Sequence, residues 1–355
     1  MKVALLYNQK PDIQNGAGKY ASDEYAEWDN PETIDAVAAA LSETHHVIKI
    51  DCHPNRLREI IETLEREKPD ICFNIAEGAG AVSREAHVPA LLEMLGLKYT
   101  ASDPVTLCIT LDKARTKEIL AYHNIPTPAF HLVSSLRDIE PVLAVEKKFP
   151  LIVKPLHEGS SKGIFERSVV ATNDDLKAQL MEVLTQYRQP ALIEEFLSGR
   201  EFTVALLGNG EGVEVLPIVE LTFDHLPHGS RRIYSYEAKW LWDNPQNPVE
   251  VFHCPAPLAP PLEKSIAEIC KRAFVALRCR DWARIDVRLD EYDNPYIIEV
   301  NPLPGILPNP DEHSCFPMAA RQAGLSYNQL INRVLNEALQ RYNALPQAGH
   351  VFLRT

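Results

Sequence analysis

The chain has 355 residues, 45% of them hydrophobic and 24% charged, the profile of a globular protein too long for one ordinary core, so two or three domains around a shared cleft are expected. A net charge of -13 excludes a broad surface for nucleic acid or anionic lipid and favours a small ligand in a local basic pocket. No apolar run reaches the roughly 18 residues that span a bilayer, the opening MKVALLY leads into polar residues without a signal-cleavage pattern, and the seven cysteines are scattered with no C-x-x-C pair; a cytoplasmic protein with reduced thiols, without a disulfide framework or zinc site, is expected.

KVALLY, Lys2 to Tyr7, predicts a short buried strand. Pro31 to Leu41, PETIDAVAAAL, has helical spacing, with Asn30 as its cap and proline at the first helical position. A strand at His46–Asp51, a helix at Arg56–Glu67, a strand DICFNIAEG at Asp70–Gly78 and a helix at Val88–Gly96 follow. This alternation implies a Rossmann-like α/β domain, a parallel sheet with helices on both faces, over residues 1–102. A helix over Asp112–Ile125 stops at Pro126 and Pro128, and the strands FPLIVKP and ALIEEFL flank a glycine-serine loop, making a smaller central unit over 103–200. From Glu201 the strands EFTVALLG, VLPIVEL, RIDVRLD and PYIIEVNP, covered by the helices SIAEICKRAFVALR and YNQLINRVLNEALQRY, predict an α+β domain over 201–345.

Four stretches carry candidate chemistry. In LIVKPLHEGSSKGI, Leu151 to Ile164, Lys154 ends an apolar strand, and Gly159, Ser160, Ser161 and Gly163 let backbone N–H groups approach anionic oxygens. The lysine precedes the glycines, so this is neither the G-x-x-x-x-G-K-[ST] phosphate loop nor G-x-G-x-x-G, and such a loop alone is more often just a hairpin with a solvated lysine. In RIDVRLDEYDNPYIIEVNPLPG, strict alternation puts Arg284, Asp286 and Arg288 on one strand face, and Glu299 and Asn301 share a face of the next strand. Two carboxylates and an amide suit Mg²⁺, a hard cation that keeps positions for phosphate oxygens; a polar-out hairpin is the plainer alternative. ALIEEFLSGREFTV brings Glu194, Glu195, Leu197 and Glu201 around a turn, where carboxylate and backbone groups would hold an adenine amino group and ribose hydroxyls, or form an ordinary salt-bridged pair. YSYEAKW places Lys239 in a long loop able to cover phosphates, or merely exposed.

Together with Lys113, these pieces occur in an order that resembles the ATP-grasp superfamily, and specifically the D-alanine–D-alanine ligase family, from about Tyr99 to Leu339. The most specific matches are KPLHEGSSKG, EEFLSGREFTV, YEAK, RIDVRLD, EVNPLPG and SCFPMAARQAGLSYNQL. The resemblance implies an ATP-grasp fold that encloses ATP and Mg²⁺, with Mn²⁺ as a substitute. Lys113 and Lys154 would hold phosphates, and the loop from Glu158 through Gly159, Ser160 and Ser161 to Gly163 would fold over them. Glu194, with Glu195 and Leu197 beside it, and Glu201 would hold adenine and ribose; Asp286, Glu299 and Asn301 would bind metal. Arg284, the Gly305 N–H, Ser160 and the mobile Lys239 would act on the reacting groups, and Ser314 would bind the second amino acid's carboxylate. The implied activity is ATP-dependent amide formation through an acyl phosphate, with D-alanyl-D-alanine for peptidoglycan as the leading product. The partners would be small molecules, without nucleic acid or membrane, in a homodimer as is common in the family.

The amino-terminal part departs from that pattern. The family's glycine pair and serine-glutamate motif are replaced by LLYNQKPDIQNGAGKYASDEYAEWDNPET, where Glu24, Glu27 or Glu32 stands in for the acid that binds the first substrate's ammonium. Its histidine-glycine pair is replaced by FNIAEGAGAVSREAH, with Asn74, Glu77 and Gly78 at the strand end, where ligands of open α/β sheets lie. Trp240 stands where the family commonly has tyrosine, and LPNPDE lengthens the segment before Ser314. A ligase for an L-amino acid, a peptide or another carboxylate-amine pair is therefore the nearest alternative. A non-catalytic ATP-binding protein comes next, and a dinucleotide-dependent dehydrogenase last, because no G-x-G-x-x-G follows the first strand.

Overall fold

A computed structural model describes residues 1–11, 25–223, 233, 252–312 and 314–344. Strands β1 (Lys2–Tyr7), β2 (His46–Asp51) and β3 (Ile71–Asn74) form a parallel sheet in the order β2-β1-β3. Alternation along β1 divides its side chains between two cores. Val3, Leu5 and Tyr7 pack with α1 (Pro31–Ser42), and Ala4 and Leu6 pack with α2 (Leu57–Glu67) and α3 (His87–Met94). Helix α1 starts as its sequence predicts, with the Asn30 side chain accepting from the Thr33 N–H at 2.9 Å.

The strand expected over Asp70–Gly78 is shorter. After Asn74 the chain bends out of the sheet, because the Asn74 side chain accepts from Ala76 N–H and the Gly78 N–H donates to Asn8 Oδ1 at 2.7 Å. Gly78 sits at φ +67°, and a Cβ there would lie 2.4 Å from the Arg84 carbonyl oxygen, so only glycine fits this approach. Two further capped helices follow, α4 (Pro104–Leu111), which the sequence reading missed, and α5 (Lys113–Tyr122); Asp103 and Asp112 are their caps.

Strands β4 (Phe130–Val133), β5 (Leu151–Pro155), β6 (Val169–Val170) and β7 (Ala191–Glu195) make an antiparallel sheet in the order β4-β7-β5-β6. Val153 and Ile193 turn towards α6 (Ile139–Leu143) and α7 (Asn173–Glu182), leaving Ile152, Lys154 and Glu194 for the other face. The third sheet contains β8 (Glu201–Asn209), β9 (Glu214–Val215), β10 (Val219–Leu221), β11 (Phe252–His253), β12 (Arg280–Leu289) and β13 (Pro295–Asn301). Its order is β11-β10-β8-β12-β13, with β9 paired to β8. The expected strand VLPIVEL is broken into β9 and β10, with Pro217, which has no N–H for a ladder, in the gap.

One face of this sheet packs on α8 (Pro260–Ala276) through Phe202, Val204, Ile285 and Val287. The other packs on α9 (Cys315–Gln322), α10 (Tyr327–Ala344) and the amino-terminal sheet. Trp282, fully buried, stands edge-on between Phe73 at 5.9 Å and Phe316 at 5.7 Å between ring centres, tying the two sheets into one core. Asp281, also fully buried, accepts from the Ala101 N–H and pairs with Arg341 at 2.8 Å. Among the described residues no helix is long and apolar enough to cross a membrane, and the seven cysteines form no disulfide.

Candidate functional site

The free face of the four-stranded sheet and one face of the six-stranded sheet enclose a cavity of about 240 Å³. Its wall includes Lys154, Gly159 to Ser161, Glu194 to Leu197, Glu201, Arg284, Asp286, Glu299, Gly305 and Ser314, segments far apart in the chain. Tertiary packing thus brings together most of the residues expected to bind nucleotide and metal. Lys239 and Trp240 lie outside the described residues, as does Glu24.

Antiparallel register sets Ile152 opposite Glu194 and Lys154 opposite Leu192, all on the cavity face. Lys154 Nζ meets Glu194 Oε2 at 2.8 Å, and Lys117 Nζ meets Oε1 at 3.1 Å while donating to Thr127 Oγ1 at 3.0 Å. Glu194 is 1% exposed. Burial opposes its charge, but the two lysines outweigh burial and pull its pKa down to about 2. Lys117, one helical turn after Lys113, is the clearest residue that the sequence reading missed; its signal was the i, i+4 spacing in KARTK.

Because the folded pKa lies below the ordinary 4.5, Glu194 stabilises the fold above that pH and loses the contribution as pH falls from 4.5 towards 2. About 2 kcal/mol of it should be gone by pH 3. Urea unfolding at pH 7 and pH 3 is expected to show a smaller loss for Glu194→Gln than for the wild type; equal losses would remove this pair from the account.

On the opposite wall, register places Asp286 against Glu299 and Arg284 against Asn301. Asp286 Oδ2 pairs with Arg284 Nη2 at 3.0 Å and accepts from Asn301 Nδ2 at 3.4 Å, and its other oxygen accepts from Thr203. Glu299 Oε1 pairs with Lys113 Nζ at 2.9 Å. Burial raises the Glu299 pKa less than Lys113 and Arg284 lower it, so the carboxyl is held below its usual range. Among the described residues no three His, Cys, Asp or Glu side chains form a metal cage. A metal here would therefore need the Asn301 amide oxygen beside Asp286 and Glu299, and such an all-oxygen donor set fits a hard divalent cation. Glu201 is held by Arg288 at 2.6 Å, with the Arg288 guanidinium 4.8 Å from the Phe196 ring centre.

The glycine-serine loop takes left-handed backbone at Ser160, Ser161 and Gly163, with φ of 52°, 59° and 72°. A Cβ on Gly163 would lie 2.4 Å from Pro155 Cγ, so the loop packs too tightly there for a side chain. Lys113 Nζ donates to the Glu158 carbonyl at the loop's start. Ser314 ends the approach to α9 and donates to the Gly305 carbonyl at 3.0 Å while accepting from the Leu307 N–H at 3.2 Å, so the added LPNPDE segment is closed on itself.

The expected first-substrate residues Glu27, Asn74 and Glu77 are not part of that cavity's wall. Asn74 is fully buried, with its amide oxygen on its own chain at Ala76. Glu77 is pushed well above the carboxylate range by burial and by Glu85 and Glu27 nearby. Glu27 lies against the glycine-serine loop, paired with Arg84 at 2.9 Å and Lys162 at 2.8 Å. Neither cation was singled out from sequence, since a lysine in a loop and an arginine in SREAH have no periodic signature.

Residues 120–336 match the family model described as D-ala D-ala ligase C-terminus. Over 351 residues, 96% of this chain and 98% of the relative, the chain is 35% identical to an uncharacterized protein, y4sG, of Sinorhizobium fredii. It is 36% identical to a D-alanine–D-alanine ligase of Bordetella pertussis over 73% of this chain and 76% of that one. For the Haemophilus influenzae ligase the identity is 34% over 81% and 90%. A crystal structure of the Bacillus anthracis D-alanine–D-alanine ligase complexed with ATP superposes with a TM-score of 0.69, covering 97% of this chain and 99% of that one at 21% identity.

Proposed function

The chain belongs to the D-alanine–D-alanine ligase family of ATP-dependent ligases, with the ATP-grasp fold, and from that premise we propose that it joins two amino acids, D-alanine with D-alanine before others, for use in the cell wall. The observation that carries this reading is the convergence of Lys113 and Lys154, through Glu299 and Glu194, on one cavity that also holds Arg284, Asp286 and Ser314.

Lys113, Lys154 and the loop from Glu158 to Gly163 would hold the triphosphate, with Glu194, Glu195, Leu197 and Glu201 at adenine and ribose. Asp286, Glu299 and Asn301 would hold Mg²⁺, which supplies charge neutralisation for phosphoryl transfer when bound. One oxygen of the first substrate's carboxylate attacks the γ-phosphorus and ADP leaves; the amine of the second substrate then attacks the acyl carbon, loses a proton and expels phosphate. Arg284 and the Gly305 N–H are assigned to the oxyanion of that second step, because a partly buried cation that already lines the cavity needs little reorganisation there. Ser314, at the amino end of α9, is assigned to the second substrate's carboxylate, where a helix amino terminus favours an anion. Lys239 is assigned to closure over the phosphates.

The rival reading keeps the chemistry and changes the amino acids. It is favoured by one feature, the Glu27 carboxylate already engaged by two cations. Phosphate release from ATP and Mg²⁺ across single and paired D- and L-amino acids separates the two. D-alanine is expected to stimulate most; stimulation by another pair with none by D-alanine would move the substrate and leave the ligase class in place.

A further inference from the structure

We propose that Glu27, Arg84 and Lys162 are positioning residues of the nucleotide loop, a buried ionic clasp that seats the glycine-serine loop from the amino-terminal sheet, so that Glu27 acts on ATP binding and not on the first substrate's ammonium. The inference rests on the ligase reading above for the loop's ligand, and on the structure alone for the clasp.

The clasp joins two rigid anchors. Glu27 sits beside Trp28, which is 3% exposed, donates its Nε1–H to the Gly78 carbonyl at 2.7 Å and stacks edge-on against His53. Arg84 follows the tight approach of Gly78 to its own carbonyl. From these anchors Arg84 Nη2 reaches Glu27 Oε2 at 2.9 Å and Nη1 donates to the His157 carbonyl at 2.7 Å. From the loop, Lys162 Nζ reaches the same Glu27 oxygen at 2.8 Å and Glu158 Oε2 at 2.7 Å, while Gln189 secures Glu158 Oε1 and the His157 N–H, both at 2.8 Å. The other Glu27 oxygen lies 2.1 Å from where a Cβ of Gly159 would stand, so the loop backbone rests directly on it.

Charge and burial explain why this is a clasp. Glu27 and Glu158 meet Arg84 and Lys162 directly, Glu85 stands 3.9 Å from Arg84 Nη2 as a third acid, and the five side chains are between 6% and 20% exposed. A buried set of mutually paired charges is rigid, and removing one member loosens its hold on the others. An incoming ammonium would have to displace Arg84 or Lys162 from Glu27, leaving that buried cation one partner short, Arg84 with Glu85 and the His157 carbonyl or Lys162 with Glu158 alone. Lys113, one of the residues assigned to phosphate, donates to the Glu158 carbonyl, so the clasp meets the phosphate site at the loop's first residue.

The test uses the full chain with Glu27→Gln, Lys162→Met, the double variant and Lys162→Arg, each checked for folding by circular dichroism. Without nucleotide, amide exchange of residues 157–163 is expected to quicken about tenfold in the two single variants and the double, and to return towards wild type in Lys162→Arg. By calorimetry, Mg-ATP binding is expected to weaken about tenfold in each single variant and no more than about twofold further in the double, the mark of one shared interaction. At saturating ATP the KM of the first amino acid should hold within about twofold. The proposal is overturned if Glu27→Gln keeps wild-type loop exchange and ATP affinity while raising that KM, which would make Glu27 the ammonium-binding acid. A wild type that binds no Mg-ATP would remove the ligase reading, and the exchange comparison would still decide the clasp. Should Glu27→Gln or Lys162→Met not fold, slowed exchange in Lys162→Arg relative to Lys162→Gln decides it in the same way.

Discussion

Glu299→Gln is expected to lower phosphate release by about a thousandfold or more, the scale on which loss of charge aimed at a reaction centre acts. Glu299 shares the wall with Asp286 through strand register and carries a carboxyl held ionised by Lys113 and Arg284. The amide keeps the shape and can still meet Lys113 while removing the charge a divalent cation requires. Folding should therefore survive, with turnover lost and the Mg²⁺ concentration for half-maximal rate raised. A Mg²⁺ titration of phosphate release measures both; unchanged turnover would take Glu299 out of the metal set.

The second large effect is expected for Arg284→Met, about a hundredfold to a thousandfold in kcat, the range found on removing one donor from an oxyanion site. Arg284 lies on β12, pairs with Asp286, and has its guanidinium pKa raised by that carboxylate and by Glu299 against the opposing effect of burial, so it stays charged at any working pH. Methionine keeps much of the stem's packing and deletes the charge. If Arg284 serves the tetrahedral step, KM for ATP should change little while kcat falls. Single-turnover measurements that separate ADP formation from dipeptide formation check this. A defect confined to ADP formation would assign Arg284 to phosphoryl transfer.

Local pattern made much of the fold legible. Period-two alternation in RIDVRLD and PYIIEVN placed Asp286 and Glu299 on the cavity wall with Asn301 against Asp286, and the Asn30-Pro31 start announced α1, because backbone periodicity and capping act within a few residues. Shorter elements were harder to see. The end of β3 depended on Asn8 reaching Gly78 across 70 positions, and VLPIVEL read as one strand although Pro217 divides it. Lys117 looked like any helical lysine until β7 brought Glu194 against it.

By itself, the sequence placed lysines, glycines and acids at strand ends and turns, and the ligase activity came from the resemblance of their order to a known family. Only tertiary structure decided which charges neutralise which: that Lys113 meets Glu299, that two lysines share Glu194, and that Glu27 is taken by Arg84 and Lys162. Coulomb pairing depends on distance and burial, and both are set when sheets far apart in the chain pack around one cleft.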